Sequence, residues 1–415
     1  MRKSFLKFVS LLAVVAASLF GPIAFAQEPS ESDLTQGQVA QRDLTDKDFF
    51  LHVCAWIYYK YQNRSFIQPG WRALWTNNLA SLTDEKHQAL NLLQTMMRGL
   101  NDPLLELYAG APQAGRCGIE FDSSGPGRFV VRVVGRDSPA ARAGIRPGDT
   151  LVTSSGYLPD CQTVSQLNLA LSGLPGSKLK LRLSRNEAPL EFDLIVTDKD
   201  PEPLSYCTIL NSNIAYIKPA LPLNPAKLAH FKQSLSELSK TKARSLILDL
   251  RNNLSDFSDP SQLCGPFVGD RQAFGINFRM STEYLNGVNP QITSLPLIAL
   301  VNSTTNTAAE VLAACLKQSR RGTLLGNQTA GKARIVTLEK VDRNRSLLLP
   351  TAEYVNCDGM FIEGNGIKPD IEVYVSAQDV EAGPWWTCSK DGNAPDILDG
   401  RDVQLKRALK EVEAY

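Results

Sequence analysis

The sequence predicts a multidomain α/β protein: an N-terminal helical region, a small β-rich module and a core of alternating strands and helices. Three observations carry this. Between Leu44 and Tyr108 apolar residues recur at three- and four-residue spacing, through Phe49-Phe50-Leu51 to Tyr58-Tyr59 and then Leu90, Leu92 and Leu93 to Met96-Met97, which is the period of one helix face. Between Cys117 and Thr197 a strand-forming run, Phe129 to Val134, is followed by helix and turn signals: Ser138-Pro139 to start a short helix, Gly144 to end it, and Gly148-Asp149 to turn into the next strand. From Ser205 onward the two periods alternate. Ile214–Ile217 reads as a strand, Pro225–Leu238 as a helix, Ser245–Arg251 as a strand, and Leu297–Val301 as a fully apolar strand of a buried sheet.

With 415 residues, the chain exceeds the roughly 250–300 residues at which single cores stop growing. Residues 1–26 read as a signal peptide. Arg2, Lys3 and Lys7 open it, an apolar run spans Phe8 to Phe20, and Ala24-Phe25-Ala26 is the cleavage signal. Export to a periplasm or beyond is therefore expected, with no stable membrane anchor, because the apolar run is short for a span and Gly21-Pro22 interrupt it. Losing three of the 44 basic and none of the 43 acidic residues leaves a net charge of about −2. That gives no electrostatic footprint for nucleic acid or an anionic membrane.

Eight cysteines in an exported chain suit disulfides. Their wide spacing argues against a metal knuckle or a redox motif. Cys117 with Cys161 is the first pairing to expect, since both fall in the small module, while Cys54 and Cys315 sit on apolar helical patterns that also suit buried thiols. His52, His87 and His230 have no carboxylate or cysteine at ligand spacing, so neither a metal, another cofactor nor a Ser-His-Asp triad is implied.

The module from Cys117 carries Ser138-Pro139-Ala140-Ala141-Arg142-Ala143-Gly144-Ile145-Arg146-Pro147-Gly148-Asp149, and this resembles the PDZ domains of bacterial proteases. Val164, Leu167 and Leu171 have the spacing of a second helix beside a peptide groove. Such a domain adds an extended chain end to a sheet edge while backbone amides hold the terminal carboxylate. The resemblance places that carboxylate loop at Cys117, Gly118, Ile119, Glu120 and Phe121.

The segment Leu300-Val301-Asn302-Ser303-Thr304-Thr305-Asn306-Thr307-Ala308-Ala309-Glu310-Val311, followed by Gly326-Asn327-Gln328-Thr329-Ala330-Gly331-Lys332, resembles the catalytic core of the carboxyl-terminal processing (tail-specific) serine peptidases. Gly99-Leu100-Asn101-Asp102-Pro103-Leu104, Thr351-Ala352-Glu353-Tyr354 and Gly364-Asn365-Gly366-Ile367-Lys368-Pro369-Asp370 extend the likeness in the same order along the chain. The resemblance implies a crotonase-like ββα core over residues 201–380. Before it come the helical region at 27–110 and a PDZ domain at 115–200, and a C-terminal extension with a helix follows at 381–415. It also implies a nucleophile at Thr307 and a general base at Lys332, with Glu310, Asp249, Arg251 and Asn252 in support. A lysine in an apolar pocket loses part of its preference for the charged form and can then take a hydroxyl proton.

This chain departs from the family pattern at three places. Thr307 replaces the serine and adds a methyl on Cβ. The oxyanion-hole turn reads Asn252-Asn253-Leu254-Ser255-Asp256, without the family's Pro-Gly-Gly, and losing one such donor typically costs about 10²–10³ in rate. Val336 stands where many relatives have a glutamine that assists the lysine. Thr307 also has a structural reading, since Thr307-Ala308-Ala309-Glu310 is a capping box in which the hydroxyl accepts the amide three residues on. Two functions are thus expected from different classes. One is an exported peptidase acting near protein C-termini, and the other is an inactive adaptor that binds C-terminal or unfolded peptides. Either would have protein ends and unfolded proteins as partners, with room for a regulatory partner or a homo-oligomer.

Overall fold

The computed structural model describes residues 44–62, 70–82, 88–102, 104–109, 117–125, 128–134, 138–146, 148–152, 167, 171, 174–197, 205–211, 213–219, 225–251, 259–288, 290–375 and 402–413. The signal peptide, Val164, Cys161 and the turn Asn252–Asp256 lie outside them. The chain forms two compact units, one from residues 1–59, 66–111 and 338–349, the other from 60–65, 112–337 and 350–415.

The first unit holds helices α1 (Asp46–Lys60), α2 (Gly70–Leu79) and α3 (Gln88–Arg98), then strand β1 (Glu106–Ala109). At the start of α1 the Thr45 hydroxyl accepts the Asp48 N–H (3.2 Å) and donates to the Asp48 carboxylate (2.7 Å), a local cap. Phe49, Phe50, Val53, Ile57 and Leu93 are fully buried. The helical pattern was expected to run to Tyr108, but α3 ends at Arg98 and Glu106–Ala109 pairs antiparallel with residues 345–348. The Asp102 carboxylate accepts the Leu104 N–H (3.0 Å), and this turn redirects the chain into the strand. Arg345 lies 3.5 Å over the Phe49 ring and donates to the Leu44 carbonyl (3.0 Å), which fastens that pairing to α1.

In the second unit, β2 (Ile119–Gly125), β3 (Arg128–Val134), β4 (Thr150–Leu151), β5 (Lys178–Arg185) and β6 (Ala188–Ile195) form an antiparallel sheet in chain order. The short helix α4 (Pro139–Ala143) lies where the sequence placed it. Ser138 caps it by accepting the Ala141 N–H (3.0 Å), and Gly144 at φ 87° ends it. Asp149 accepts from Arg146 N–H (2.8 Å) and pairs with Arg185 (2.6 Å), so the turn into β4 is pinned to β5. Phe121, Phe129, Val131, Leu167, Leu181 and Leu183 fill this module's own core. Cys117 is a buried free thiol, so the expected Cys117–Cys161 bridge is not formed. Cys54 and Cys315 are also buried and free.

The rest of the unit is a layered α/β core, apart from hairpin residues 338–349, which belong to the first unit. Its elements are β7 (Tyr206–Leu210), β8 (Ile214–Lys218), α5 (Pro225–Ser239), β9 (Ser245–Asp249), α6 (Pro260–Val268), β10 (Gln272–Phe278), β11 (Thr282–Asn286), β12 (Leu297–Val301), α7 (Thr307–Gln318), β13 (Thr323–Gly326), β14 (Arg334–Lys340), β15 (Arg345–Val355), β16 (Ile371–Glu372) and α8 (Val403–Val412). The main sheet has the order β16-β13-β12-β9-β8-β7 and is parallel from β16 to β8. Strand alternation splits its side chains between two layers. Ile217, Leu246, Leu248, Ala299 and Val301 meet Phe231, Leu263, Phe267 and Leu312 of α5, α6 and α7. Tyr216, Ile247, Ile298, Leu300 and Leu325 meet Leu405, Ala408 and Val412 of α8. Both faces are covered, which is why these strands read as unbroken apolar runs.

Candidate active site

Strands β8, β9, β12 and β13 are neighbours and run parallel, so the residues that follow each of them emerge at one edge of the sheet, where α/β proteins bind ligands. The segment after β12 folds on itself: Asn302 Oδ1 accepts from the Thr304 hydroxyl (2.9 Å), and Thr305 Oγ1 accepts the Asn302 N–H (3.0 Å). Thr305 Oγ1 donates to the Leu250 carbonyl (2.9 Å), which joins this loop to the end of β9. The Ala330 N–H donates to the Thr305 carbonyl (2.9 Å), which joins it to the loop after β13.

These bonds place Thr307 and Lys332 together, though not as the sequence implied. The helix cap is Asn306, not Thr307, and Thr307 sits at φ 42°, in the left-handed region. A β-branched residue there is a steric outlier. Its hydroxyl does not cap the helix and instead donates to the Lys332 carbonyl (2.9 Å). Its N–H donates to the same carbonyl (2.9 Å) and to Glu310 Oε2 (3.2 Å). With its N–H engaged in this way, the Thr307 amide is not placed to contact an oxyanion. Half of the capping box survives, because Glu310 reaches back as such a residue should. Lys332 is exposed among the described residues, whereas a lysine acting as general base calls for an apolar pocket.

Glu310 is fully buried and does more than support a cap. Its carboxylate accepts from the Thr329 hydroxyl (2.5 Å) and from the N–H groups of Gly331 (2.6 Å), Lys332 (2.9 Å) and Thr307 (3.2 Å). Burial raises its pKa above the usual carboxylate value, against the pull of these donors. The Thr329 hydroxyl in turn accepts the Ile367 N–H (2.7 Å). Glycine is required at Gly366, where φ is 62° and a Cβ would lie 2.5 Å from the Thr329 carbonyl. The glycine-rich tail of the motif thus lets the backbone close over the lysine loop.

Asp249 and Arg251 form a second buried cluster at the same edge. Arg251 is bidentate to Asp249 (Nε 2.9 Å, Nη2 2.7 Å) and reaches both oxygens of Asp402 (2.9 and 2.8 Å). Tyr216 donates to Asp249 (2.7 Å), and Lys218 Nζ donates to the Arg251 carbonyl (2.6 Å). Burial alone would raise the Asp249 pKa. The charges of Arg251 and Lys218 outweigh it and hold the carboxyl well below its usual range. Burial lowers the Lys218 pKa, opposed by Asp249. Asp402 and Gln404 escaped the sequence reading, although Asp402 stands directly before an apolar helical pattern as an N-cap should. Lys218, at the end of a strand, carried no such signal.

The loop proposed for a peptide carboxylate is also in view. Gly118 has φ 77°, and a Cβ there would lie 2.2 Å from Ser138 Cβ. The Cys117 carbonyl accepts the Ala140 N–H (3.1 Å). Ile119, Glu120 and Phe121 begin β2, which has no second strand neighbour among the described residues. Along the core, a cleft of about 840 Å³ is lined by Asn277, Thr282, Arg334, Glu353 and Glu363 among others. Glu363 accepts the N–H of Ala333, beside Lys332 (2.6 Å). Among the described residues no His, Cys, Asp and Glu cluster fit for a metal is found.

The peptidase family S41 profile matches residues 213–373, which include every core strand and helix of this site from β8 to β16. That stretch is a peptidase family S41 domain. The chain is homologous to carboxy-terminal processing proteases. It is 27% identical over 351 residues to carboxy-terminal processing protease CtpA of Bacillus subtilis, covering 80% of this chain and 73% of the relative. It is 26% identical over 364 residues to the chloroplastic C-terminal processing peptidase of Tetradesmus obliquus, covering 80% and 78%. Its fold is similar to that of the photosystem II D1 C-terminal processing protease, with a TM-score of 0.66 at 22% identity over 80% of this chain and 94% of that one. The S41 domain is thus a mixed α/β fold, and among the described residues of the chain no helix is long and apolar enough to cross a membrane.

Proposed function

We propose that this S41 protein is an exported C-terminal processing peptidase, with Thr307 as nucleophile and Lys332 as general base. The observation that carries this reading is the meeting of Thr307 with the main chain of Lys332, 25 residues away, at a strained backbone held by Glu310. Strain of this kind gathers at functional sites and persists only where surrounding bonds impose it. In the reaction the neutral Lys332 amine takes the proton of Thr307 Oγ1, and that oxygen attacks the scissile carbonyl. The amine of the leaving peptide departs with the proton, and water then hydrolyses the ester. Two changes precede this: the hydroxyl leaves the Lys332 carbonyl, and bound substrate covers the lysine, lowering its preference for the charged form. We assign the oxyanion contact to the Ala308 N–H, which lies in the first turn of α7, where an amide has no carbonyl four residues back within the helix.

The same reading makes residues 27–110 a helical region, 115–200 a PDZ domain, 201–380 the peptidase core and 381–415 a C-terminal extension. Substrates are the free ends of unfolded proteins. The edge of β2, which has no second strand partner among the described residues, and the glycine turn at Gly118 suit strand addition with carboxylate capture at Cys117–Phe121. A second reading, a binding protein on a peptidase scaffold, is favoured by the exposed Lys332 and by the Thr307 hydroxyl being held on a carbonyl.

Cleavage of an unfolded protein by the secreted form, alongside Thr307→Ser, Thr307→Ala and Lys332→Ala, separates the two. The peptidase requires that the parent cleave and that Lys332→Ala lose about 10²–10⁴ in rate, the usual share of a general base. A parent that does not cleave, while still binding peptides, leaves the binding protein.

A further inference from the structure

The C-terminal helix α8 lies on the sheet face opposite α7, yet its first residues reach the edge that carries Thr307. Asp402 caps α8 by accepting the Leu405 N–H (2.9 Å) and receives the Arg251 guanidinium on both oxygens (2.9 and 2.8 Å). Gln404 accepts from Arg251 Nη1 (3.2 Å), and its amide donates to Asn327 Oδ1 (2.8 Å) and to the Val373 carbonyl (3.0 Å). Asp402, Gln404 and Arg251 are all buried.

The contacts to Arg251 and Asn327 fall just past the ends of β9 and β13, where the chain continues into the candidate site. Arg251 is pinned on its backbone as well: its N–H donates to Asp249 (3.0 Å) and its carbonyl accepts from Lys218 (2.6 Å). The residue before it, Leu250, presents the carbonyl that Thr305 bonds, two residues before Thr307. Asn327 opens the loop that runs through Thr329 and Gly331 to Lys332, all of them bonded to Glu310. The helix therefore grips both chains that frame the Thr307–Lys332 pair, one through Asp402 and the other through Gln404. A buried guanidinium deprived of a carboxylate is costly, so the grip is tight where it touches Arg251.

We propose that Asp402 and Gln404 are positioning residues of the site: α8 fixes the end of β9 through Arg251 and the Lys332 loop through Asn327. This rests on the peptidase reading for its effect on rate, but not for its effect on the two strand ends. The test is amide hydrogen exchange of the full secreted chain, compared with Asp402→Asn and Gln404→Ala, together with kcat and KM on an unfolded protein. Asp402→Asn is expected to raise exchange in residues 245–251 at least about tenfold, the loss of a hydrogen bond to a charged group, and Gln404→Ala chiefly in 326–332. Exchange in the hairpin of β5 and β6 stays unchanged in both, and kcat falls with KM within about twofold, the pattern for groups that act only on the reacting geometry.

Unchanged exchange at both strand ends overturns the proposal, as does an equal rise everywhere, which would mark plain destabilisation. Should Asp402→Asn fail to fold, Gln404→Ala decides alone, since it removes no charge. A parent that does not cleave defeats the peptidase reading, while the exchange data still decide for or against the grip.

Discussion

Two loops of the chain converge on Thr307, whose hydroxyl and N–H both meet the Lys332 carbonyl. Its position and its pairing with Lys332 were legible, because the run before Glu310 and the Gly-Lys after β13 have a recognisable spacing. The direction of its hydroxyl was not, since that depends on a backbone at φ 42° and on the carbonyl of Lys332, set by bonds from both loops. Asp249 and Arg251 were legible as residues, whereas their third partner, Asp402, lies 151 positions from Arg251 and no local pattern links them. The charge balance at Asp249 has a measurable consequence. Its folded pKa lies below the unfolded value of about 3.9, so its stabilisation is complete above about pH 4 and is lost as pH falls further. Asp249→Asn should therefore destabilise the chain by about 3–5 kcal/mol at pH 7, with the gap narrowing in urea titrations as pH drops towards 2. A gap that stays constant with pH would show that the charge of Asp249 is not what holds Arg251 and Lys218.

At the scale of elements, α7 is held by its first turn rather than by its cap. Asn306 gives no side-chain bond to the helix, and Glu310 in the first turn collects four donors from two separate segments of the chain. A capping box predicts the reach of a glutamate back to the helix start and nothing more. The bonds to Thr329, Gly331 and Lys332 need the parallel pairing of β12 with β13, which is a tertiary fact. Strands β8 and β12 match the sequence expectation to within a residue of their ends, and β9 stops at Asp249, two residues short of it; their apolar runs are plain because both faces of the sheet are buried. The misread stretch, Glu106–Ala109, pairs with residues more than 200 positions away, and its apolar spacing also suits a helix. Glu310→Gln tests the tie. Its amide would set a second donor against N–H groups that need an acceptor, so unfolding free energy should fall by about 2–4 kcal/mol. A loss below about 0.5 kcal/mol, the level of ordinary surface changes, would mean the four bonds are replaced at little cost.

For the whole molecule, homology to processing peptidases over 80% of the chain coexists with a threonine at the position proposed for the nucleophile and with an exposed lysine. In the proposed reading, recognition and chemistry are built from different parts of the sequence, so either can persist without the other. The proposed end-binding loop relies on backbone shape: the left-handed Gly118, the Cys117 carbonyl bonded to Ala140, and a strand edge at β2. None of these involves Thr307, Lys332 or Glu310. A peptide with a free C-terminus should therefore bind the Thr307→Ala chain and the parent with the same affinity, within about twofold. Amidating that terminus removes a charge-assisted contact to backbone amides and should weaken binding at least about tenfold in both. Fluorescence anisotropy with one labelled peptide in its acid and amide forms measures this directly. Equal affinity for the two forms would remove the tail-binding role and leave the S41 core to select its substrates unaided, whereas a loss confined to Thr307→Ala would place the peptide at Thr307 instead.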